Sequence, residues 1–213
     1  MKHFSFLEQC CLKFDDLLRT VTGNVLQNED AEYPAANISE ANLTLSEKQL
    51  AANLMRVNHA GEVCAQSLYL GQSYVCRDVK TKQHLLTAAK EEHDHLYWCQ
   101  TRLAELGSHT SLLNPLWYAG SFAIGLTAGI MGDRWSFGFI AETESQVIAH
   151  LEKHIAKLPT QDHKSLKILT RMRDDELTHK NHALDAGAYL LPGPIKFIMH
   201  FTSKIMVKTS FYI

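Results

Sequence analysis

The feature that most constrains the fold is a pair of Glu-x-x-His motifs, one in each half of the chain. The first comprises Glu92 and His95, and the second comprises Glu176 and His179. Residues three apart lie side by side on one face of an α-helix, so each motif offers one oxygen and one nitrogen to a metal ion. Two such motifs favour a helical chain whose helices face a shared interior.

Helical spacing of apolar residues dominates the sequence, whereas strand signals are scarce. The spacing predicts helices over about 4–21, 46–77, 79–106, 133–157, 161–190 and 195–211. Ser46 is the predicted N-cap of the first long helix, and Gly107 marks the end of the second. We interpret residues 1–45 as an N-terminal helix with a connecting segment, and residues 46–213 as the bundle domain.

The two long helices without a motif are each expected to supply one carboxylate. Between residues 48 and 77 the only acidic residue is Glu62. The helix predicted over 133–157 offers Glu142, Glu144 and Glu152. Of these, Glu144 shares the apolar stripe, and Glu142 is rotated from it by about 200°. That stripe consists of Phe137, Ile140, Val147, Leu151 and Ile155.

The order of these residues repeats along the chain. Glu62 precedes Glu92 by 30 residues (92 − 62), and Glu144 precedes Glu176 by 32 (176 − 144). Charges in an apolar stripe are costly unless they are paired or bind metal. One lone glutamate followed by one Glu-x-x-His is the ligand set of ferritin-like di-iron and di-manganese bundles. We predict an all-α, ferritin-like four-helix bundle with a long apolar crossover and additional helices at both ends.

This donor set favours two iron or manganese ions, because it combines hard carboxylates with one imidazole per metal. The expected metal ligands are Glu62, Glu92, His95, Glu144, Glu176 and His179. The two motif glutamates are expected to bridge the ions. Glu62 and His95 would complete one ion, and Glu144 and His179 the other. Six protein ligands leave coordination positions open for dioxygen, as an oxygenase requires.

Other polar residues are expected to surround the ligands. Metal-bound histidines usually donate their second N–H to a carboxylate or carbonyl. Glu91 and Asp175 each precede a motif glutamate, so each is expected to support a histidine across the bundle. His59 is interpreted as a core histidine or a neighbour of the ligands. His150 is rotated by about 240° from Glu144 and is not expected to bind metal.

Composition narrows the functional class further. The formal net charge of −2 gives no electrostatic basis for binding nucleic acid. The five cysteines, Cys10, Cys11, Cys64, Cys76 and Cys99, form no Cys-x-x-Cys pair, which indicates reduced thiols. The acids Glu8, Asp15 and Asp16 interrupt a stripe of apolar residues at helical spacing near the N-terminus, which consists of Phe4, Leu7, Cys11, Phe14, Leu18 and Val21. We therefore expect an amphipathic helix that covers the domain there, not a secretion signal.

A segment from residue 106 to residue 132 contains no Asp, Glu, Lys or Arg. If it crossed a membrane, the two halves of the ligand set would lie on opposite sides, so we expect it to dip into or lie on the surface. The last predicted helix, 195–211, is amphipathic, and its apolar side is expected to carry Ile198, Phe201, Ile205 and Met206. Segments 106–132 and 195–211 are thus predicted membrane contacts.

Several runs of residues resemble those of one known family. The run Arg56-Val57-Asn58-His59-Ala60-Gly61-Glu62 resembles the signature of the demethoxyubiquinone hydroxylases. The likeness continues through Glu92-x-x-His95, Ala141-Glu142-Thr143-Glu144 and Arg173-Asp174-Asp175-Glu176-Leu177-Thr178-His179. It covers most of residues 46–213.

The resemblance implies a di-iron (Fe²⁺) monooxygenase that hydroxylates 2-polyprenyl-3-methyl-6-methoxy-1,4-benzoquinol with O₂, using the six ligands above. It leaves the electron donor unidentified. The expected location is the cytoplasmic face of a bacterial cell membrane, with peripheral contact to the bilayer that holds the substrate. Other ubiquinone-biosynthesis proteins and a second copy of the chain are candidate partners. The rival functions are ferritin-like iron oxidation or storage, tRNA hydroxylation and acyl-chain desaturation.

Overall fold

The computed structural model describes residues 5–28 and 31–213. The side chains of Phe6, Gln9 and Cys10, and residue Phe4 of the predicted first helix, lie outside this description. The described residues form seven α-helices and no strand. The helices are α1 (Phe6–Thr22), α2 (Leu45–Val75), α3 (Val79–Glu105), α4 (Asn114–Ile130), α5 (Asp133–Ile155), α6 (His163–Asp185) and α7 (Gly193–Ser210).

Local signals account for most helix ends. The hydroxyl of Thr44 accepts from the backbone N–H of Glu47, and the Glu47 carboxylate accepts from that of Thr44. This capping box begins α2, so the prediction of Ser46 as N-cap was wrong. Gly107 adopts a φ of 68°, which ends α3 as predicted. The predicted fourth long helix ends earlier than expected, at Asp185.

Helices α2, α3, α5 and α6 form the four-helix bundle, in which α2 packs on α3 and α5 packs on α6. Two apolar clusters divide its interior. One cluster contains Leu54, Met55 and Leu169, and the other contains Leu68, Leu85 and Ile140. On each bundle helix, the predicted ligands lie in sequence between a residue of the first cluster and a residue of the second. The bundle centre is therefore enclosed by apolar side chains on both sides.

Helix α4 occupies the uncharged crossover and packs along α2. The close approach depends on small residues. A Cβ atom added at Gly125 would overlap the carbonyl oxygen of Leu68, and one added at Gly71 would overlap that of Phe122. Glycine at these positions therefore brings the two helix backbones together.

A buried cation fixes the connecting segment to the bundle. Arg102 of α3 is fully buried and donates to the carboxylates of Glu40, Glu105 and Asp162. Its Nε also donates to the hydroxyl of Ser165 at 2.9 Å. Because Asp162 is itself buried, its charge needs this partner, and the contacts join residue 40 to α3 and α6.

The first helix covers the bundle differently from the prediction. Leu17 and Val21 pack against the core, but Leu7, Phe14 and Leu18 of the expected buried stripe are exposed. The prediction was wrong here because a helix with apolar residues on two sides does not reveal which side meets the core. Helix α1 contacts α4, and its remaining apolar face points outwards.

The α2–α4 contact predicts a contrast between two glycines of α4. Gly125→Ala should lower the free energy of unfolding by about 1–3 kcal/mol, because overpacking forces the helix backbones apart. Gly120→Ala meets no atom within 4 Å, and it should leave stability unchanged or raise it by up to ~1 kcal/mol. Urea denaturation followed by circular dichroism measures both values. Equal effects of the two substitutions would contradict this packing.

Candidate metal centre

The six predicted ligands lie together at the centre of the bundle. Glu62 projects from α2, Glu92 and His95 from α3, Glu144 from α5, and Glu176 and His179 from α6. Each is at most 8% exposed. The predicted proximity is confirmed, whereas the role of each residue as a ligand stays a prediction.

The ligand atoms fall into two overlapping groups, in each of which they lie within 4.8 Å of one another. One group contains Glu62, Glu92, His95 and Glu176, and the other contains Glu92, Glu144, Glu176 and His179. Glu92 and Glu176 belong to both groups, which is the arrangement expected of bridging carboxylates. The groups could therefore hold metal ions at two neighbouring positions.

Both histidines turn Nδ1 towards the carboxylates. His95 Nδ1 lies 3.1 Å from Glu92 Oε2 and 3.1 Å from Glu176 Oε1. His179 Nδ1 lies 2.9 Å from Glu176 Oε2 and 3.4 Å from Glu92 Oε1. One nitrogen of each imidazole thus faces the same interior as the four glutamates.

The outer nitrogens meet the two predicted supporting carboxylates. His95 Nε2 lies 3.3 Å from Asp175 Oδ2, and His179 Nε2 lies 2.7 Å from Glu91 Oε2. Both contacts cross between α3 and α6, so the predicted pairing is confirmed. Arg171 also donates to Asp175. With a metal ion bound, a proton held on Nε2 would leave the Nδ1 lone pair free to coordinate it.

The carboxylates strongly perturb one another. Burial raises the pKa of Glu62 well above its usual value, and the neighbouring charges of Glu92 and Glu176 add to this effect. Burial, with the charge of Glu176, does the same for the pKa of Glu144. Burial also disfavours ionised Glu92, but hydrogen bonds from His179 and His95 outweigh it and lower the Glu92 pKa.

The chemistry of the donors fits metal ions. Five buried carboxylate oxygens of the cluster have no hydrogen-bond partner among the described residues; they belong to Glu62, Glu92, Glu144 (both oxygens) and Glu176. Leaving such atoms buried without a partner is costly. Four ionised glutamates carry four negative charges, which two divalent cations would balance. The cluster is therefore suited to metal binding.

The remaining sequence candidates belong to neither ligand group. Glu142 accepts from Gln146 and pairs with Lys196 of α7, and Glu152 is exposed. His59 is buried beside Asn114, and burial lowers its pKa to about 3. His150 belongs to neither group, as predicted.

An apolar cavity of about 380 Å³ opens beside the cluster. Glu62 is part of its wall, and the other walls come from α2, α4, α5 and α7. The apolar lining includes Leu68, Leu116, Trp117, Ile124, Phe139, Val147, Met199, Met206 and Val207. Met206, which the sequence places on the apolar side of the last helix, is half-buried and lines this cavity.

Sequence reasoning missed several buried polar residues near this cavity. Asn58 Oδ1 accepts a hydrogen bond from His154 Nδ1 at 2.8 Å, and both residues are buried. Asn114, on α4, contacts His59. Residues 58 and 154 are far apart in sequence, and no motif joins them. Only the adjacent polar residues Asn58 and His59, on the predicted first long helix, could have drawn attention to them.

Apolar side chains are exposed where the membrane contacts were predicted. They are Leu116, Ile124 and Ile130 on α4, and Phe197, Ile198, Phe201 and Ile205 on α7. Among the helices of the described residues, none combines the length and apolarity needed to span a membrane.

Fold and site together define a ferritin-like helical bundle with a buried glutamate–histidine centre. Comparison with known proteins shows the family: the chain belongs to the family described as ubiquinone biosynthesis protein COQ7, which matches residues 49–210. The chain is 50% identical over 208 residues to the 3-demethoxyubiquinol 3-hydroxylase of Polynucleobacter necessarius subsp. necessarius, covering 97% of this chain and 99% of that one.

Two further relatives bear the same name. The Laribacter hongkongensis protein is 51% identical over 207 residues, covering 97% of this chain and all of that one. The Legionella pneumophila (strain Corby) protein is 47% identical over 213 residues, covering the whole of both chains. The likeness extends through α1 as well as the bundle, so it reaches beyond the metal-site motifs.

The geometry of α5 predicts that Glu144, and not Glu152, is needed for metal binding. Glu144→Gln should reduce the metal content from two ions per chain to one or none, because the amide removes a charged ligand from one group. Glu152→Gln, on the exposed side of the same helix, should leave the content unchanged. Elemental analysis after iron loading and desalting provides the measurement. Full occupancy in the Glu144 variant would refute the assignment.

Proposed function

We propose that the chain is a di-iron monooxygenase that hydroxylates the ring of a 2-polyprenyl-3-methyl-6-methoxy-1,4-benzoquinol with O₂ in ubiquinone biosynthesis. The observation that carries the proposal is the contact between the buried glutamate–histidine centre and an apolar cavity, through the shared residue Glu62. The relatives' name, 3-demethoxyubiquinol 3-hydroxylase, denotes this reaction.

Two Fe²⁺ ions are the proposed cofactors. Glu62 and His95 would hold one ion, Glu144 and His179 the other, and Glu92 and Glu176 would contribute to both. Iron in this donor set supplies the reduction and activation of dioxygen that ring hydroxylation requires.

The protein's own residues prepare the centre for this chemistry. Asp175 and Glu91 hold the two imidazole rings so that Nδ1 of each ring faces inwards. The apolar clusters on both sides exclude water from the carboxylates, which strengthens every electrostatic contact inside. The protein therefore supplies an enclosed cage of carboxylate and imidazole donors.

The cavity suits a benzoquinol with an apolar tail. Its volume of about 380 Å³ lies in the range of small-molecule pockets, and its lining is mainly apolar with a few polar groups. The ring would bind near Glu62, and the prenyl chain would leave between α4 and α7, whose residues Trp117 and Met206 line the cavity.

We also propose that the enzyme binds the membrane surface peripherally, on the cytoplasmic side. The exposed apolar residues of α4 and α7 lie on the two helices that flank the cavity. Exposed Phe14 and Leu18 on α1, which packs against α4, could extend this surface. Lys204 and Lys208 of α7 are exposed and could meet anionic headgroups. A second copy of the chain and other ubiquinone-biosynthesis proteins are further candidate partners.

The proposed reaction is tested by quinone profiling in a bacterial host that lacks its own ring hydroxylase. The unaltered chain should restore ubiquinone, and Glu176→Ala should leave the demethoxy precursor, because this glutamate belongs to both ligand groups. Mass spectrometry of extracted quinones gives the ratio of the two compounds.

Glu152→Ala is the matched control and should restore ubiquinone fully. If the unaltered chain leaves the precursor unchanged while the purified protein holds two irons, the substrate assignment fails. Ferritin-like iron oxidation or storage then becomes the function to test.

The membrane surface predicts a loss of binding when the exposed side of α7 is made polar. The double variant Ile198→Ser/Phe201→Ser should bind anionic vesicles about tenfold or more weakly, because it removes two large apolar contacts. Leu45→Ser, an exposed leucine at the start of α2, is the control and should bind normally. Sedimentation with phosphatidylglycerol vesicles measures the bound fraction. Unchanged binding of the double variant, or no binding of the unaltered chain, would overturn this surface.

A further inference from the structure

Two polar side chains line the mainly apolar cavity that Glu62 also lines. Asn58 and His150 both line this cavity, Asn58 from α2 and His150 from α5. Asn58 precedes Glu62 by one helical turn, so the two side chains share a face of α2 and lie about 6 Å apart along its axis. A molecule that touches Asn58 therefore lies beside the metal centre.

A hydrogen bond from His154 fixes the orientation of the Asn58 amide. His154 Nδ1 donates to Asn58 Oδ1 at 2.8 Å, since an amide oxygen can only accept. The other end of the amide, Nδ2, is buried and has no hydrogen-bond partner within residues 5–28 and 31–213. Asn58 thus presents an unused donor while its acceptor is occupied.

His150 offers the complementary group. Its ring meets the His154 ring edge-on, with centroids 3.9 Å apart. His150 Nε2 is also buried and lacks a partner in the described part of the chain. Burial, together with the charges of Lys153 and Lys157, lowers the pKa of His150 to about 4. The neutral ring can therefore present Nε2 as an acceptor.

We propose that Asn58 and His150 bind one ring hydroxyl of the benzoquinol substrate, with Asn58 Nδ2 donating to its oxygen and His150 Nε2 accepting its proton. His154 is a positioning residue, because it acts through Asn58. This inference rests on the proposed function and adds how the ring is recognised. A hydroxyl both donates and accepts, whereas a quinone carbonyl only accepts, so the pair selects the reduced quinol over the quinone.

The contacts favour recognition over a purely structural role. A histidine and an asparagine that served only to join α2 to α5 would use their polar atoms on each other. Here His154 supplies that join, and two further polar atoms, which belong to residues that line a cavity, have no partner among the described residues. Such atoms are costly to bury unless a ligand meets them.

The experiment measures binding of three ring compounds to the iron-loaded, full-length protein without oxygen. The compounds are a short-chain 6-methoxybenzoquinol, its di-O-methyl ether and the corresponding quinone. Fluorescence of Trp117, which lines the cavity, reports binding, and calorimetry provides an independent measurement. The unaltered protein should bind the quinol about tenfold more tightly than either of the others.

The variants separate recognition from packing. His150→Phe should weaken quinol binding about tenfold and leave quinone and ether binding unchanged, so the preference disappears. Asn58→Leu should weaken quinol and quinone binding alike, because the oxygen of either ring group can accept from Asn58 Nδ2. His150→Gln, whose amide can still accept, should keep part of the preference. His163→Phe, on the exposed start of α6, is the matched histidine control and should behave normally. A structural role would weaken all three compounds alike.

The outcomes distinguish this inference from the proposed function. If the unaltered protein hydroxylates the quinol but binds quinol and ether equally, the recognition pair is wrong and the function stands. Equal weakening of all three compounds by His150→Phe also overturns the pair. If the unaltered protein neither binds nor hydroxylates any of these compounds, the proposed function fails first.

Discussion

Four glutamate side chains converge on one small interior volume, and their charges must be balanced there. Each is almost completely buried, and the raised pKa values of Glu62 and Glu144 reflect the cost of that burial. Two histidines, held from outside by Asp175 and Glu91, complete a donor set that two divalent cations would neutralise. Because such a cluster tolerates little water or movement, the surrounding bundle must be tightly packed.

The architecture around the cluster meets this requirement and also provides access. Apolar clusters close the bundle above and below the glutamates, and the buried Arg102 network fixes the connecting segment against α3 and α6. Access comes from the side, where α4 packs closely on α2 through Gly71 and Gly125. The cavity there reaches Glu62 and carries Asn58 and His150 in its wall. An apolar molecule could reach the centre by this route without opening the bundle.

The bundle helices and the clustered residues were predictable because both depend on short-range periodicity. A charged residue in an apolar stripe, such as Glu144, has few explanations other than pairing or metal binding. The partners of His95 and His179 also followed, since Asp175 and Glu91 directly precede the motif glutamates. Periodicity could not decide which side of α1 meets the core, because that helix has apolar residues on two sides. The contact between Asn58 and His154 joins distant residues, so only the three-dimensional structure reveals it.

The central claim is that this buried cluster holds two irons at neighbouring positions. X-ray diffraction from crystals of the iron-loaded protein, collected on both sides of the iron absorption edge, tests it directly. The account predicts two anomalous peaks about 3.5–4 Å apart. One peak should lie among Glu62, Glu92, His95 and Glu176, and the other among Glu92, Glu144, Glu176 and His179. A single peak, or iron bound only outside the bundle, would contradict the account.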